Sequence, residues 1–303
     1  MDRLFQIDVA VCAFRRPKIA ETLATIAAQA LPPDARLRVL VAENDDAPTL
    51  RSTIEARAAQ LGLDLAYRHA PGRNISIARN ACLEMARGDV LLFIDDDELA
   101  APDWVTGMVA AWRETGAGVV FGPAYAVYPP NAPDWMRDND FHSNIPTRNG
   151  ATVETGYSSN VLLDLADPRV RDARFDPSFG RTGGEDVDFF FRLHRDGVLM
   201  AITEDAVVRE PVVPERMSLR WLLRRRHTVG AIYGSCAAGG AQGARVGLAL
   251  RGGAKALYCA ARALAAAPRR RRAAFWLMRG TFHLGVIAGC IAPPRREAYG
   301  STP

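Results

Sequence analysis

The chain has 303 residues, a length that suits one large α/β domain or one domain with an appendage. Hydrophobic residues make up 49% of it and charged residues 24%, which is close to the globular average and excludes a chain that is disordered throughout. The formal net charge of +4 is too small to indicate nucleic-acid binding by itself.

The first 123 residues alternate short apolar runs with helical patterns. The apolar runs predict strands over residues 7–14, 37–42, 63–69, 90–94 and 117–123. Helices are predicted between them over about 15–29, 48–61 and 75–87. This alternation predicts βαβ units and a mainly parallel sheet that is covered by helices on both faces.

The remaining residues have a less regular pattern. Residues 124–155 are rich in proline and predict a loop or lid, and strands at 154–163 and 199–208 flank a helix that begins near Gly184. From Arg216 the pattern is helical, and residues 273–291 are almost entirely apolar. Their length is borderline for a membrane span. We favour a helix that lies in the membrane interface, while a span and a helix packed on the preceding domain stay open.

Charge and cysteine positions indicate where the chain operates. Acidic residues cluster between Glu43 and Asp205, whereas basic residues dominate from Arg216 onward, which predicts contact with an anionic membrane surface. No apolar core of a signal peptide is visible near the first residue. The cysteines show no metal-ligand spacing, so we expect reduced, mostly buried thiols in a cytosolic setting: Cys12, Cys82, Cys236, Cys259 and Cys290.

The acidic run Asp95-Asp96-Asp97-Glu98 directly follows the most apolar predicted strand. Because like charges repel, four consecutive acids are costly unless a positive group lies among them. A divalent cation bound to carboxylate oxygens and substrate phosphates meets that need. The alternative is a solvated turn that caps the next helix. Glu43 and Asp45 also follow a predicted strand, and we expect all these acids to converge at the carboxyl edge of the sheet.

A second motif, Gly183-Gly184-Glu185-Asp186, precedes a predicted helix. Two glycines allow the backbone to approach a ligand closely, and the helix dipole stabilises carboxylates in the first turn. An ionised carboxylate there can act as a general base toward an acceptor hydroxyl. Ordinary capping by an acidic first turn explains the same residues, so both interpretations stay open.

A third motif runs from Arg73 to Asn80, with the sequence Arg-Asn-Ile-Ser-Ile-Ala-Arg-Asn. An arginine fork such as that of Arg79, if it lies near the acids, could bind phosphate. A salt bridge between Arg79 and one of those acids is the alternative. The sequence alone does not decide between the two.

Signatures of several other enzyme classes are absent, including G-x-S-x-G, the P-loop, HExxH and a GxGxxG after the first strand. In order and spacing, the three motifs resemble those of inverting family 2 glycosyltransferases with a GT-A fold. The resemblance covers about residues 5–225. Within this family, the chain is similar in particular to bacterial glucosyltransferases that build succinoglycan-type exopolysaccharide units on a lipid carrier. The matching strings are residues 9–17, 43–45, 78–80, 95–97 and 183–186.

The resemblance implies an α/β, Rossmann-like GT-A fold with a C-terminal helical extension. It divides the chain into a catalytic domain at 1–225 and a basic, apolar, membrane-associated extension at 226–303. It also implies that Asp186 is the catalytic base and that Glu185 contacts the acceptor. Asp97, with Asp95, would bind Mg²⁺ or Mn²⁺. The implied nucleotide-sugar-binding residues are Ala13, Phe14, Glu43, Arg79, Asp95, Asp96 and Arg220.

Individual members of this set carry finer expectations. Ala13 and Phe14 would line the nucleobase pocket, and Glu43 stands where the family usually has an aspartate that binds the base. Within the acidic run we expect Asp97 to be the metal ligand and Asp96 to tolerate substitution best.

Two departures from the family pattern matter. Val208-Arg209-Glu210 offers no histidine where some GT-A enzymes bind metal, so we expect fewer protein ligands or a contact of Arg209 with the diphosphate. Residues 217–221 resemble the QxxRW motif of processive synthases, but methionine replaces the glutamine. This favours transfer of a single sugar. Arg220 would contact the diphosphate and Trp221 the acceptor ring, although Trp221 could equally be a core aromatic.

We therefore expect an inverting enzyme that moves one sugar from a nucleotide-sugar, with UDP favoured, to a hydroxyl of a glycan or polyprenyl-diphosphate-linked acceptor in cell-surface polysaccharide synthesis. It would lie peripherally on the inner face of the cell membrane and bind no nucleic acid. One alternative is a nucleotidyltransferase, but residues 9–17 lack its glycines. Another is a non-catalytic anchoring component, which would not need an intact Asp97 and Asp186.

Overall fold

The computed structural model describes residues 3–239, 242–292 and 299, which fall into two compact units. The first unit contains residues 3–125, 144–210 and Tyr299, and the second contains the described residues of 126–143 and 211–292. The predicted boundary at 225/226 differs from this division because it falls inside a continuous helix, Leu219–Ala237. Within the predicted extension, residues 240–241, 293–298 and 300–303 lie outside the described residues.

Within the described residues the strands are β1 (Phe5–Ala13), β2 (Ala35–Glu43), β3 (Leu65–His69), β4 (Val90–Asp95), β5 (Leu99–Ala100), β6 (Val119–Phe121), β7 (Ala124–Val127), β8 (Asn160–Asp164), β9 (Met200–Ile202) and β10 (Val208–Pro211). Seven of them form one sheet in the order β3-β2-β1-β4-β8-β6-β9. The order of a second, smaller sheet is β5-β10-β7.

The large sheet is mainly parallel, as predicted. β1 pairs in parallel with β2 and β4, β2 with β3, and β6 with β9. β8 is the exception and runs antiparallel to both β4 and β6. A parallel strand needs a crossover connection, usually through a helix. Residues 138–159, which lead into β8, contain no helix.

The helices are α1 (Ile19–Ala27), α2 (Arg51–Leu61), α3 (Ile75–Met85), α4 (Trp104–Thr115), α5 (Asp134–Arg137), α6 (Pro168–Arg171), α7 (Glu185–Arg195), α8 (Leu219–Ala237), α9 (Gln242–Ala265) and α10 (Arg270–Ile291). Two apolar cores cover the two faces of the large sheet. One contains Leu23 of α1 and Trp104 of α4, and the other contains Ala78 of α3 and Phe189 of α7. Helices on both faces are therefore confirmed.

Several predicted bounds differ from the structure. The first helix begins at Ile19 instead of residue 15, because Arg15 has a φ of 56°, which is incompatible with a right-handed helix. The strand predicted at 199–208 is two strands, β9 and β10, separated by a turn. The segment predicted as a loop or lid at 124–155 contains β7 and α5 and is otherwise irregular.

The second unit consists mainly of α8, α9 and α10. Glycines on α8 and α10 allow the two helices to touch: a Cβ at Gly234 would lie 2.3 Å from the carbonyl oxygen of Val286, and one at Gly289 only 1.9 Å from that of Ala231. Residues 126–143 belong to this unit because Met136 of α5 shares a core with α8 and α10. Among the described helices, α10 alone is long and apolar enough to cross a membrane, with a mean hydropathy of 1.3.

Candidate functional site

The carboxyl ends of β1, β2 and β4 meet at one edge of the large sheet. Ala13, the last residue of β1, pairs in register with Glu43 of β2, and Cys12 pairs with Asp95 of β4. Ala13 is fully buried, and Phe14 directly beyond it is partly exposed. The predicted convergence of these strand ends is therefore confirmed.

Arg79 of α3 connects the two acidic motifs. Its guanidinium is buried and hydrogen-bonded to the carboxylate of Glu185 at the start of α7. The Nη2 atom of Arg79 lies 3.8 Å from Oδ1 of Asp95. Arg79 also interacts electrostatically with Asp186. Of the two interpretations left open for Arg79, the structure therefore shows the salt bridge, and this bridge gathers the acidic run and the Glu185-Asp186 pair around one cation.

Three polar side chains of the third motif hold the chain that leads to α7. Asn74 Nδ2 donates to the carbonyl of Pro177, Ser76 Oγ to that of Asp176, and Asn80 Nδ2 to that of Phe175. We call these three residues the polar clamp. Sequence reasoning assigned no role to them. The one signal in the sequence is a helix start that is unusually rich in amide and hydroxyl side chains.

Asp96 is the most enclosed aspartate of the acidic run, with 2% of the residue exposed. Its Oδ2 accepts a hydrogen bond of 3.1 Å from the backbone N–H of Phe14, and its Oδ1 accepts one of 2.7 Å from Arg16. Arg16 also pairs with Asp97 at 3.1 Å. The structure contradicts the expectation that Asp96 tolerates substitution best, because Asp96 fixes the chain that follows β1. Arg16 was missed by sequence reasoning.

Burial and neighbouring negative charges raise the pKa values of Asp95, Asp96 and Glu98. Burial raises the pKa of Asp95 to about 6, and Asp97 adds to this while Arg79 opposes it. Burial raises the pKa of Asp96 to about 7 against the opposing charge of Arg16. The pKa of Glu98 is also well above its ordinary value, through burial and the charge of Asp95. Burial and mutual repulsion therefore outweigh the attraction of the two arginines for these carboxyl groups.

Glu43, the last residue of β2, is bound by groups of the protein itself. It is fully buried; its Oε1 accepts from the backbone N–H of Leu50 at 2.8 Å and its Oε2 from the hydroxyl of Tyr67 at 2.6 Å. Because Glu43 is fully buried, a hydrogen bond to a nucleobase would require the surrounding chain to move. The structure therefore gives Glu43 the role of fixing the start of α2 against β3.

The glycines of the second motif set the entry into α7. Gly183 and Gly184 have φ values of 82° and 97°, in the left-handed region that favours glycine. Asp186 then lies half-buried in the first turn, with Oδ1 accepting from the backbone N–H of Val187 at 2.7 Å. Glu185 is buried, and its Oε2 has no hydrogen-bond partner among the described residues.

Arg220 and Trp221 lie at the start of α8, in the second unit. The ring of Trp221 stacks on His142 at 5.4 Å and is partly buried against the core of this unit. A pocket with a volume of about 330 Å³ is lined by Glu215, Ser218, Arg220, Trp221 and Arg224. Trp221 therefore has both a packing role and a face toward this pocket.

Comparison with known proteins agrees with this geometry. Residues 8–161 match the model of the family "Glycosyl transferase family 2". The succinoglycan biosynthesis protein ExoM of Rhizobium meliloti (strain 1021) is 43% identical over 297 residues, which are 97% of this chain and 96% of that protein. The chain belongs to glycosyl transferase family 2. This family 2 protein is a glycosyltransferase, which confirms the predicted enzyme class and excludes the nucleotidyltransferase alternative.

Solved structures confirm the GT-A-like fold. A mannosyltransferase from Pyrobaculum calidifontis, PcManGT in complex with GDP-Man and Mn²⁺, superposes with a TM-score of 0.62 at 19% identity, over 94% of this chain and 87% of that one. S. aureus TarS 1–349 in complex with UDP-GlcNAc superposes with a TM-score of 0.53 at 18% identity, over 75% and 65% of the two chains. At these identities the likeness shows the fold alone.

The salt bridges of Arg79 predict a large stability effect. Substitution Arg79→Met leaves the buried carboxylate of Glu185 uncompensated, which is expected to lower the free energy of unfolding by about 3 kcal/mol or more. Adding Glu185→Gln should recover part of that loss, by about 1 kcal/mol or more, because the orphaned charge disappears. Urea unfolding followed by circular dichroism measures both.

Arg68 provides the matched control, because its ion pair with Glu84 is exposed. Arg68→Met is expected to change the free energy of unfolding by about 0.5 kcal/mol or less. Equal stability of Arg79→Met and the wild type, or no recovery in the double variant, would contradict the assigned role of Arg79.

Proposed function

We propose that this glycosyltransferase inverts the anomeric configuration and moves one sugar from a UDP-sugar to a hydroxyl of a lipid-linked glycan. The observation that supports this most is the pairing of Arg79 with both Asp95 and Glu185. This pairing brings two groups to one site. The acidic run suits the donor diphosphate, and the Glu185-Asp186 pair suits the acceptor hydroxyl. Both halves of a transfer reaction then have a chemical group in reach.

The donor nucleotide lies beyond the end of β1 in this proposal. Phe14 offers a partly exposed ring to the base, and Ala13 forms the buried floor behind it. Arg79 contributes positive charge beneath the nucleotide while it stays paired with the acids. Glu43 is left out of the donor site, because it is fully buried and hydrogen-bonded within the protein.

The acidic run fits a divalent metal ion. No group of three His, Cys, Asp or Glu side chains that could hold a metal exists among residues 3–239, 242–292 and 299. Mg²⁺ and Mn²⁺ sites often use one or two carboxylates together with substrate phosphates, and Asp97 and Asp95 supply oxygens of that kind. A bound cation would stabilise the ionised forms of these acids, whose pKa values burial raises in its absence. When bound, the metal would neutralise charge on the departing diphosphate.

Asp186 is the proposed general base. It lies in the first turn of α7, where the helix dipole favours the ionised carboxylate. The carboxylate removes the proton of the acceptor hydroxyl as the hydroxyl oxygen bonds to the anomeric carbon and the bond to the nucleoside diphosphate breaks. A single displacement inverts the configuration, so an α-linked donor gives a β-linkage. Oε2 of Glu185, which has no hydrogen-bond partner among the described residues, is assigned to the acceptor.

The acceptor class follows from the relative named in succinoglycan biosynthesis, which supports a role in exopolysaccharide assembly. Such polysaccharides are built on polyprenyl diphosphates, as the family resemblance implies. The pocket of the second unit suits this chemistry, since Arg220 can pair with phosphate and the face of Trp221 can stack on a sugar ring.

A membrane surface is the proposed location of the second unit. Leu250, Leu257 and Leu264 of α9 are 71%, 75% and 77% exposed and recur every seven residues, so they share one face of the helix. Arg251 and Arg262, with Lys255, occupy an adjoining exposed face. An apolar face beside a basic one is the arrangement of helices that lie on anionic bilayers.

Replacement of the general base, Asp186, tests the mechanism. Asp186→Asn keeps the shape of the side chain and removes its basicity, so the rate of UDP release in the presence of acceptor is expected to fall by about 10²-fold or more. UDP binding, measured by calorimetry, is expected to stay unchanged. The assay uses a panel of UDP-sugars, Mn²⁺ and synthetic polyprenyl-diphosphate-linked glycans.

Asp188 serves as the control, since it lies on the same helix and pairs with Arg192 at 2.8 Å. Asp188→Asn should retain the wild-type rate to within about threefold. If Asp186→Asn is as active as Asp188→Asn, Asp186 is not the base.

Removal of the metal tests the acidic run. Chelation by EDTA is expected to stop UDP release, and Mn²⁺ should restore it. Asp97→Asn should weaken Mn²⁺ binding in the presence of UDP by about tenfold or more, because a charged ligand becomes neutral. Electron paramagnetic resonance of Mn²⁺ measures the binding. The control is Asp34→Asn, an exposed aspartate paired with Arg113, and Mn²⁺ affinity equal in both variants would refute the assignment.

Substitution of the exposed leucines of α9 tests the proposed membrane surface. The triple variant Leu250→Glu, Leu257→Glu, Leu264→Glu is expected to lose binding to vesicles that contain phosphatidylglycerol, by about 10³-fold or more, because each leucine contributes about 1.5 kcal/mol or more on burial. Flotation of the full chain with vesicles measures this. Leu199→Glu is the control, as Leu199 is 58% exposed in the first unit. Equal flotation of the two proteins would refute the proposal.

A further inference from the structure

Tyr299 belongs to the first unit although it comes from the C-terminal end of the chain. Its ring centroid lies 5.0 Å from that of Phe14, with an angle of 38° between the ring planes. Its backbone N–H donates a hydrogen bond of 3.0 Å to the carbonyl of Arg181, which precedes the second acidic motif. Tyr299 is therefore in contact with the ring assigned to the nucleobase and is anchored close to the start of α7.

The hydroxyl of Tyr299 is buried and has no hydrogen-bond partner among the described residues. The titratable groups that act on it are Cys12 and groups of the donor site, Asp96, Arg79 and Arg16. A buried polar group without a partner costs about 1–3 kcal/mol, and a phenylalanine would fill the same space without that cost. The hydroxyl is thus unexplained by the packing of the protein itself.

We propose that Tyr299 is a donor-binding residue, whose ring lies beside the nucleoside and whose hydroxyl donates a hydrogen bond to an oxygen of the bound nucleoside diphosphate. This inference rests on the proposed function, because it requires the donor to lie between Phe14 and the acidic run. Burial raises the pKa of Tyr299, so the phenol keeps its proton at neutral pH and remains a donor. Oxygens of ribose and of the diphosphate are the acceptors available on such a ligand.

Substitution Tyr299→Phe isolates the hydroxyl. Its removal is expected to raise the Kd of UDP by about tenfold, the equivalent of about 1.4 kcal/mol for one hydrogen bond. Tyr299→Ala should raise it further, because the ring contact is also lost. Isothermal titration calorimetry of the full chain with UDP and Mn²⁺ measures these values. A parallel titration with uridine locates the bond: weaker binding of both ligands places it at the ribose, and weaker binding of UDP alone places it at the diphosphate.

Thermal unfolding without nucleotide separates this role from a structural one. Tyr299→Phe should be as stable as the wild type or more stable, since the hydroxyl makes no hydrogen bond within the described part of the chain. Tyr125→Phe is the control, because Tyr125 is 38% exposed in the same unit. Tyr125→Phe should change neither the Kd of UDP nor the thermal stability.

Two results would overturn the inference while leaving the proposed function intact. Wild-type affinity of Tyr299→Phe for UDP would show that the hydroxyl makes no contact with the donor. Tighter binding by Tyr299→Ala would show that Tyr299 blocks the donor site instead of completing it. If the wild type binds neither UDP nor any of a panel of GDP, ADP and dTDP, the proposed donor site fails, and the inference fails with it.

Discussion

A buried arginine surrounded by carboxylates determines the arrangement of the site. Arg79 can lose its hydration only because Glu185 and Asp95 compensate its charge, and the buried carboxylate of Glu185 depends on Arg79 in the same way. The polar clamp lies on the same helix and fixes the backbone just before α7. Through Arg79 and the polar clamp, α3 therefore connects the end of β4 to Glu185 and Asp186 at the start of α7, which come about 90 residues later in the chain.

The strand ends were predictable because β1, β2 and β4 are apolar runs buried on both faces, and parallel strands share a carboxyl edge. The direction of β8 was not, since the pattern of its residues is the same in either direction. Side-chain direction was also beyond the sequence. It showed acids after strands, but not that Glu43 turns toward Leu50 and Tyr67 or that Asp96 turns toward Phe14.

The helices of the second unit were predictable from the sequence, but the inclusion of residues 126–143 in it was not. Basic residues and apolar runs after Arg216 indicated helices, and α8, α9 and α10 are present. Residues 126–143 join them through contacts of Met136 and Phe141 with Leu222 and Met278. These contacts join segments far apart in the chain, and nothing in a linear pattern predicts them. A division at one position therefore differs from the observed units, each of which is assembled from separate segments.

The contact between α8 and α10 has a consequence for how this protein can vary during evolution. At Gly230, Gly234, Gly285 and Gly289 the backbone of the opposite helix occupies the space of a Cβ. Even alanine at one of these positions would force the two helices apart, so no single substitution there is neutral. The outward face of α9 has no such restriction, because Gly243, Gly247 and Gly253 face open space. Descendants of this chain can therefore replace these three glycines by larger residues while the helix pair beneath stays the same.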